Sequence, residues 1–460
     1  MSTSTFLLSL ALIPALAYAI AHLPLLQRFR PAYPPLLSLL VLAFVMRAMF
    51  LAFFPDPGGD PAYDAVVQGA IPEQPNPGGD LRFDVISYRI VGDLVRDGED
   101  VYAQTSRHPY LPFQMYIFAF SAQLEDWFGP DFFSWVRWPN ILADLGILVL
   151  IYWGSLKLGR SKSTAFWLGF LWAVHPVSIF TSALHGQFDS ISAFFALLAW
   201  YLLRFWPGYR GALLGGLALG LGVLDKTWPA LFIPVFLLLA SGWRSKAIYL
   251  AAVAAVPAFF LLVYNLAIGT SFDLIQMRVF GYDGVPGRFG YTFAFRTYME
   301  GFIPYGWNAV AADNGRVILL VALALVGVIV IPRRDAMTSA TVLIATFYAA
   351  MHGFGSNYLL WIIPFALMSE QVVMLGAYSA AAIPAFLIYY WGTCGLICPG
   401  RLTYVKEYWS LQLVWPVAIV WMFREVALAL SLPERFVSLK TGLGSAAAPA
   451  GGERMDEGRL

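Results

Sequence analysis

Runs of about 18 or more apolar residues recur along this chain, and runs of that length are read as membrane-spanning helices. Lipid offers no partner to a backbone amide or carbonyl, so each span must satisfy its own hydrogen bonds as a helix. Composition agrees. With 59% apolar and 12% charged residues over 460 positions, the chain reads as a polytopic integral membrane protein rather than a soluble core. A net charge of +1 says nothing about nucleic acid, but no basic cluster dense enough to track phosphates appears, so no nucleic-acid partner is expected.

The fold class expected is all-α, with about eleven to thirteen transmembrane helices. The apolar runs fall near 5–23, 33–54, 134–156, 163–183, 188–205, 211–225, 228–243, 247–268, 316–332, 337–351, 357–370, 372–391 and 409–429. The first run, Phe6 to Leu23, lacks a basic segment before it and a small-residue cleavage site after it, so it reads as a span and not a removed signal peptide. Basic residues gather in alternate loops: Arg28 and Arg30; Lys157, Arg160 and Lys162; Arg204 and Arg210; Arg244 and Lys246; Arg333 and Arg334. Lys and Arg accumulate on the cytoplasmic side, which places the N-terminus and the long loops 55–133 and 269–315 outside. Residues 1–432 read as one transmembrane domain and 433–460 as a disordered cytoplasmic tail. Cys394 and Cys398 share one short loop, where either a disulfide or a bystander pair fits.

The stretch from Arg82 to Pro112, RFDVISYRIVGDLVRDGEDVYAQTSRHPYLP, is polar and acid-rich between hydrocarbon runs. It must lie outside the bilayer, with Asp84 near the surface. Ile86, Ile90 and Leu94 recur at helical spacing, and Arg89 with Asp93 forms an i,i+4 pair on another face. That pattern is an amphipathic helix along the membrane surface. Tyr110 to Leu124 is a second interfacial helix candidate.

Asp84, Tyr88, Gly98 and Tyr102, followed by His108-Pro109-Tyr110-Leu111-Pro112, resemble the first extracytoplasmic loop of the GT-C glycosyltransferases. Within that class they look most like the polyprenyl- and dolichyl-phosphate-sugar-dependent mannosyl- and glucosyltransferases. Further matching segments are RWPNILADLGILVLIYW, HPVSIFTSALHGQFDS, LGVLDKTWPALFIP and HGFGSNYLLWIIP. The resemblance spans roughly 80–370. It implies a hexose, with mannose the first choice, moved from a polyprenyl-phosphate donor to a glycolipid or other glycan acceptor at the extracytoplasmic face. The compartment implied is the plasma membrane or the endoplasmic reticulum.

The resemblance makes the acid of the first loop, here Asp84, the catalytic base. The chemistry asks for one: a sugar hydroxyl is a poor nucleophile until a carboxylate takes its proton, and a single inverting displacement needs only one carboxylate. The competing reading of Asp84 is an N-cap of the amphipathic helix, and Asp60, Asp64 and Asp80 are the other acids of this loop. A departing lipid phosphate needs cations. Lys226, beside Asp225 at the outer end of a span, His352 and Arg288 are the candidates, with Tyr88, His108 and Tyr358 as further donor-binding positions. Snorkelling or pairing with Asp225 is the alternative role for Lys226. His185, Gln187 and Asp189 form a polar cluster on the second outer loop, read as support for the reaction centre or as a turn capped by Asp189. Arg137 and Asp144 read as a structural ion pair within the bundle. In 269–315, Tyr282, Arg288, Phe289, Tyr291, Trp307 and Asn308 suit a sugar-binding surface or an interfacial aromatic belt. No obligatory metal or other cofactor is expected, since His plus one carboxylate is not a closed site. A lipid-linked saccharide flippase or polymerase and a solute transporter are the competing functions.

Overall fold

The computed structural model describes residues 35–53, 81–129, 131–281, 289–298, 306–393 and 413–432. Among them every regular element is helical and none is a strand. Helix α1 is Pro35–Phe53, α2 Leu81–Arg96, α3 Gln114–Phe128, α4 Phe132–Lys157, α5 Lys162–Ala173, α6 Asp189–Phe205, α7 Tyr209–Asp225 and α8 Gly242–Ile268. Three short helices follow, at Phe272–Phe280, Tyr291–Tyr298 and Trp307–Asp313. Then come α9 Gly315–Val330, α10 Ala336–Ala350, α11 Ile362–Met368, α12 Val372–Thr393 and α13 Val414–Leu430.

α4 and α8 are each long and apolar enough to cross a bilayer, and shorter apolar helices complete the bundle. Only 22% of the most apolar stretch of α8 is buried, against 61% for α4. α8 therefore lies at the lipid face and α4 in the interior. α8 packs on α7, which packs on α6, which packs on α4. The α7–α8 contact is close because Gly216 and Gly220 carry no Cβ: one built at Gly216 lies 2.6 Å from the Tyr249 carbonyl oxygen, and one at Gly220 lies 2.9 Å from that of Val253. Small residues four apart let two backbones approach where lipid supplies no hydrophobic drive.

Three of the runs expected to cross are broken. The run 163–183 is split into α5 and a second piece, Pro176–His185, bent by 47°. Pro176 has no amide to donate, and its ring disfavours helical backbone at His175, which takes φ −68°, ψ 117°. The run 228–243 holds only a 3₁₀ turn, Trp228–Phe232, and a helical turn, Ile233–Leu237; Pro229 and Pro234 interrupt the ladder there. The run 357–370 is a 3₁₀ turn, Ser356–Leu360, followed by α11. Ten to thirteen residues reach at most about 20 Å as helix, short of the roughly 30 Å hydrocarbon core.

The amphipathic helix expected after Phe83 is α2, and the interfacial helix expected at 110–124 begins four residues later, as α3. α2 buries Val85, Ile86, Ile90 and Val91 against α3, close enough that a Cβ on Gly92 falls 2.8 Å from the Phe118 carbonyl carbon. On its polar face Arg89 pairs with Asp93 at 2.7 Å and with Glu125 of α3, and Arg96 pairs with Asp126. Inside the bundle, Asp144 pairs with Arg47 of α1 at 2.7 Å, both fully buried, which corrects the expected pairing with Arg137. Ser178 and Ser182 donate to the same carboxylate oxygen, at 2.8 and 2.6 Å.

Candidate active site

A single residue extra in a helix places the first site side chain. After Pro176 the chain makes one α-turn and then a π-helical segment, Phe180–His185, in which the Gly186 amide reaches the Thr181 carbonyl. Isolated π segments are uncommon and cluster at functional sites, because the wider turn re-aims a side chain. Gly186 closes the segment at φ 77°, a left-handed conformation that glycine adopts without a Cβ penalty. Its carbonyl accepts from Asn140 Nδ2 of α4 at 2.9 Å, so the bundle interior holds the turn that carries His185 and Gln187.

Both side chains meet Asp84. His185 Nε2 and Gln187 Nε2 donate to Asp84 Oδ2 at 2.9 and 2.6 Å. Asp84 is the fourth residue of α2, not its cap, which corrects the capping reading. In the first turn its negative charge also faces the positive end of the helix dipole. The carboxylate is 37% exposed, whereas the His185 side chain is 2% exposed. One oxygen is thus fixed from inside the bundle and the group still has an exposed side.

Gln187 continues the network inward. Its Oε1 accepts from Asn357 Nδ2 at 3.4 Å, and the same amide donates to Asp189 Oδ2 at 2.7 Å. Asp189 is fully buried and accepts from Lys226 Nζ at 2.8 Å and Trp361 Nε1 at 2.6 Å. It is the first residue of α6 and does not cap it; Phe188 occupies that position. Lys226 therefore pairs with Asp189, where pairing with Asp225 was the alternative expected; Asp225 accepts from Gln114 of α3. The Lys226 ammonium is wrapped by the rings of Phe188, Tyr358 and Tyr110, at 4.5, 5.3 and 5.5 Å. Its charge is spent inside the protein.

The remaining expected site residues divide. Tyr358 stacks on Trp361 with centroids 4.1 Å apart, beside the network. Tyr88 is buried against Phe118 at 4.4 Å and Phe188 at 5.7 Å, walling the same region. His352 lies against Gly315, where a Cβ would come within 2.4 Å of its Nδ1, and its carbonyl accepts from Thr292. Arg288, Tyr282, Asp60, Asp64, Asp80, Cys394 and Cys398 lie outside the described residues. Three members of the site were not singled out by sequence. Asn357 and Trp361 sit inside HGFGSNYLLWIIP, where an amide between aromatics was the available signal. Arg107 donates to Ser87 Oγ at 3.0 Å, and Ser87 stands one helical turn from Asp84 on α2.

His108 is enclosed by Tyr102, Tyr110 and Phe118, and burial pushes its imidazole from 6.5 down to about 3. It is neutral at physiological pH, so it cannot serve a phosphate as a cation. A folded-state pKa below the unfolded one gives stability that is intact above about 6.5 and is lost as pH falls from there toward 3, by up to about 1.4 kcal/mol per pH unit. His108→Phe should flatten the fall in melting temperature between pH 7 and 5. An unchanged slope in that variant would assign the acid sensitivity elsewhere.

Asp84 and His185 bring one carboxylate and one imidazole together, and among the described residues no group of three or more His, Cys, Asp or Glu is arranged to hold a metal ion. The arrangement can hold a proton acceptor at the surface and orient it from below. No curated protein matches the chain. A family model does, that of dolichyl-phosphate-mannose-protein mannosyltransferase, over residues 113–272. The matched stretch begins just after His108-Pro109-Tyr110-Leu111-Pro112 and carries His185, Gln187, Asp189 and Lys226. The likeness read from the motifs is thereby shown over about a third of the chain, and the class it supports is a polytopic membrane glycosyltransferase of the GT-C type.

Proposed function

We propose that the protein transfers one hexose, mannose before others, from a polyprenyl-phosphate carrier to a glycolipid or other glycan acceptor at the extracytoplasmic or lumenal face, with inversion and without an obligatory metal. The observation that carries this reading is Asp84, with Oδ2 held by His185 and Gln187 and the carboxylate partly exposed. The free carboxylate oxygen takes the proton of the acceptor hydroxyl as the acceptor's own oxygen bonds to the anomeric carbon; the bond from that carbon to the phosphate oxygen breaks, and the lipid phosphate leaves. His185 and Gln187 keep the base oriented through the displacement.

The leaving phosphate gains charge as the bond breaks, and a fixed cation stabilises it most at that moment. Arg107, which follows α2 and donates to Ser87 Oγ one helical turn from Asp84, takes that role in this reading. Lys226, first expected there, serves instead as the counter-ion that keeps Asp189, and through Asn357 the Gln187 amide, in place. The purified protein should transfer mannose from a polyprenyl-phosphate mannose with no nucleotide sugar added, measured by release of radiolabel to acceptor. Movement of such lipids between vesicle leaflets with no transfer from any lipid-phosphate hexose would make the protein a flippase and overturn the proposal. The host membrane, plasma membrane or endoplasmic reticulum, follows the acceptor.

A further inference from the structure

The end of the bundle opposite Asp84 holds a cavity of about 540 Å³. α6 connects the two ends. Asp189 begins it in the network and Arg204 lies fifteen residues on, about 22 Å away at 1.5 Å per residue. Around the cavity stand Arg204, Arg160 from the turn after α4, and Arg334 from the turn between α9 and α10. Three basic loops far apart in sequence therefore meet at one place.

The state of these groups points to an anion. Asp335, also on the cavity wall, is committed to the Met337 and Thr338 amides of α10. Arg160 pairs with Glu370 and donates to the Met368 carbonyl at 2.5 Å, but Glu370 is half exposed and takes a left-handed φ of 55°, a backbone state that costs a non-glycine residue free energy. Arg334 Nη2 pairs with buried Glu425 at 2.6 Å, while its Nε is buried without a hydrogen-bond partner among the described residues. Ser339 Oγ, on a residue with no exposed surface, is likewise without one. Arg204 has the Phe205 ring at 5.9 Å and no carboxylate partner among the described residues. Trp200 and Leu238 give the cavity an apolar side.

We propose that this cavity binds the phosphate of an anionic lipid from the adjacent leaflet. Guanidinium forks match phosphate oxygens in geometry and charge, the Ser339 hydroxyl supplies a further donor, and the apolar wall meets the beginning of the acyl chains. The phosphate would displace the Glu370 carboxylate from Arg160. Basic pockets between helices on the face that carries the positive loops are suited to lipid head groups. The site is remote from Asp84 and does not depend on the reaction assigned there.

The test uses the full-length protein in detergent, titrated separately with phosphatidylglycerol, phosphatidylcholine and inorganic phosphate, and read by native mass spectrometry and thermal unfolding. Phosphatidylglycerol should be retained and raise the melting temperature, and the other two should do neither. Arg204→Gln alters an exposed side chain outside the bundle interior and should unfold as wild type without lipid, retain sugar transfer at saturating donor, and bind phosphatidylglycerol about tenfold more weakly, the share of one charge-assisted contact. Equal retention of phosphatidylglycerol and phosphatidylcholine, or wild-type affinity in Arg204→Gln, overturns the site. An equal thermal shift from inorganic phosphate alone overturns the lipid as its ligand.

Discussion

Asp84→Asn should lower sugar transfer by about a hundredfold or more, the usual share of a general base, while the protein still folds and binds its lipid donor. The asparagine is isosteric, and its carbonyl can accept from Gln187 and His185 in place of Oδ2. What it loses is the ability to take a proton. The helix also loses a favourable charge in its first turn, which costs roughly 0.3–1 kcal/mol and does not unfold a bundle of this size. Turnover measured at saturating donor, beside donor binding, separates the effects. Near wild-type turnover in Asp84→Asn, with loss in a variant of Asp60, Asp64 or Asp80, would move the base to another acid of the same loop.

A second large effect belongs to Lys226. Removing one partner of a buried ion pair leaves the other charge uncompensated and costs about 3–5 kcal/mol, a large part of a domain's net stability. Lys226→Ala should therefore lower the yield and melting temperature of folded protein before any kinetic constant is read, because Asp189 is left charged among Asn357 and Trp361 with no cation. Joining Lys226→Met to Asp189→Asn should restore most of that stability, since the pair is removed together. A Lys226→Ala variant that melts as wild type and loses only the donor step would return Lys226 to the phosphate.

Much of the architecture was written locally. The spacing of Ile86, Ile90 and Leu94 gave α2 its buried face, and the ends of α4, α6 and α8 fall within a few residues of their apolar runs. The acid of the first loop and the polar cluster at 185–189 were both visible, yet not that one bonds the other, a hundred residues apart in sequence. Partners across helices carry no periodicity. For that reason Arg47 was missed as the partner of Asp144, and Asp189 as that of Lys226. The π segment left no trace either, since its residues FTSALH are as compatible with an ordinary helix. The competing reading of Asp84 as a cap fails because the helix begins three residues before it, at Leu81.

The π segment also makes the register of this chain sensitive to length in one short interval. Deleting any one residue from Thr181 to Leu184 would let the backbone close as an ordinary α-turn, conserving hydropathy, span and membrane insertion. One side of the segment would then rotate by about 100° and shift about 1.5 Å against the other, and the imidazole now on Asp84 would turn to a different wall of the bundle. Single-residue gaps here, invisible to any measure of overall similarity, are thus where a protein of this shape could keep its fold and lose its chemistry.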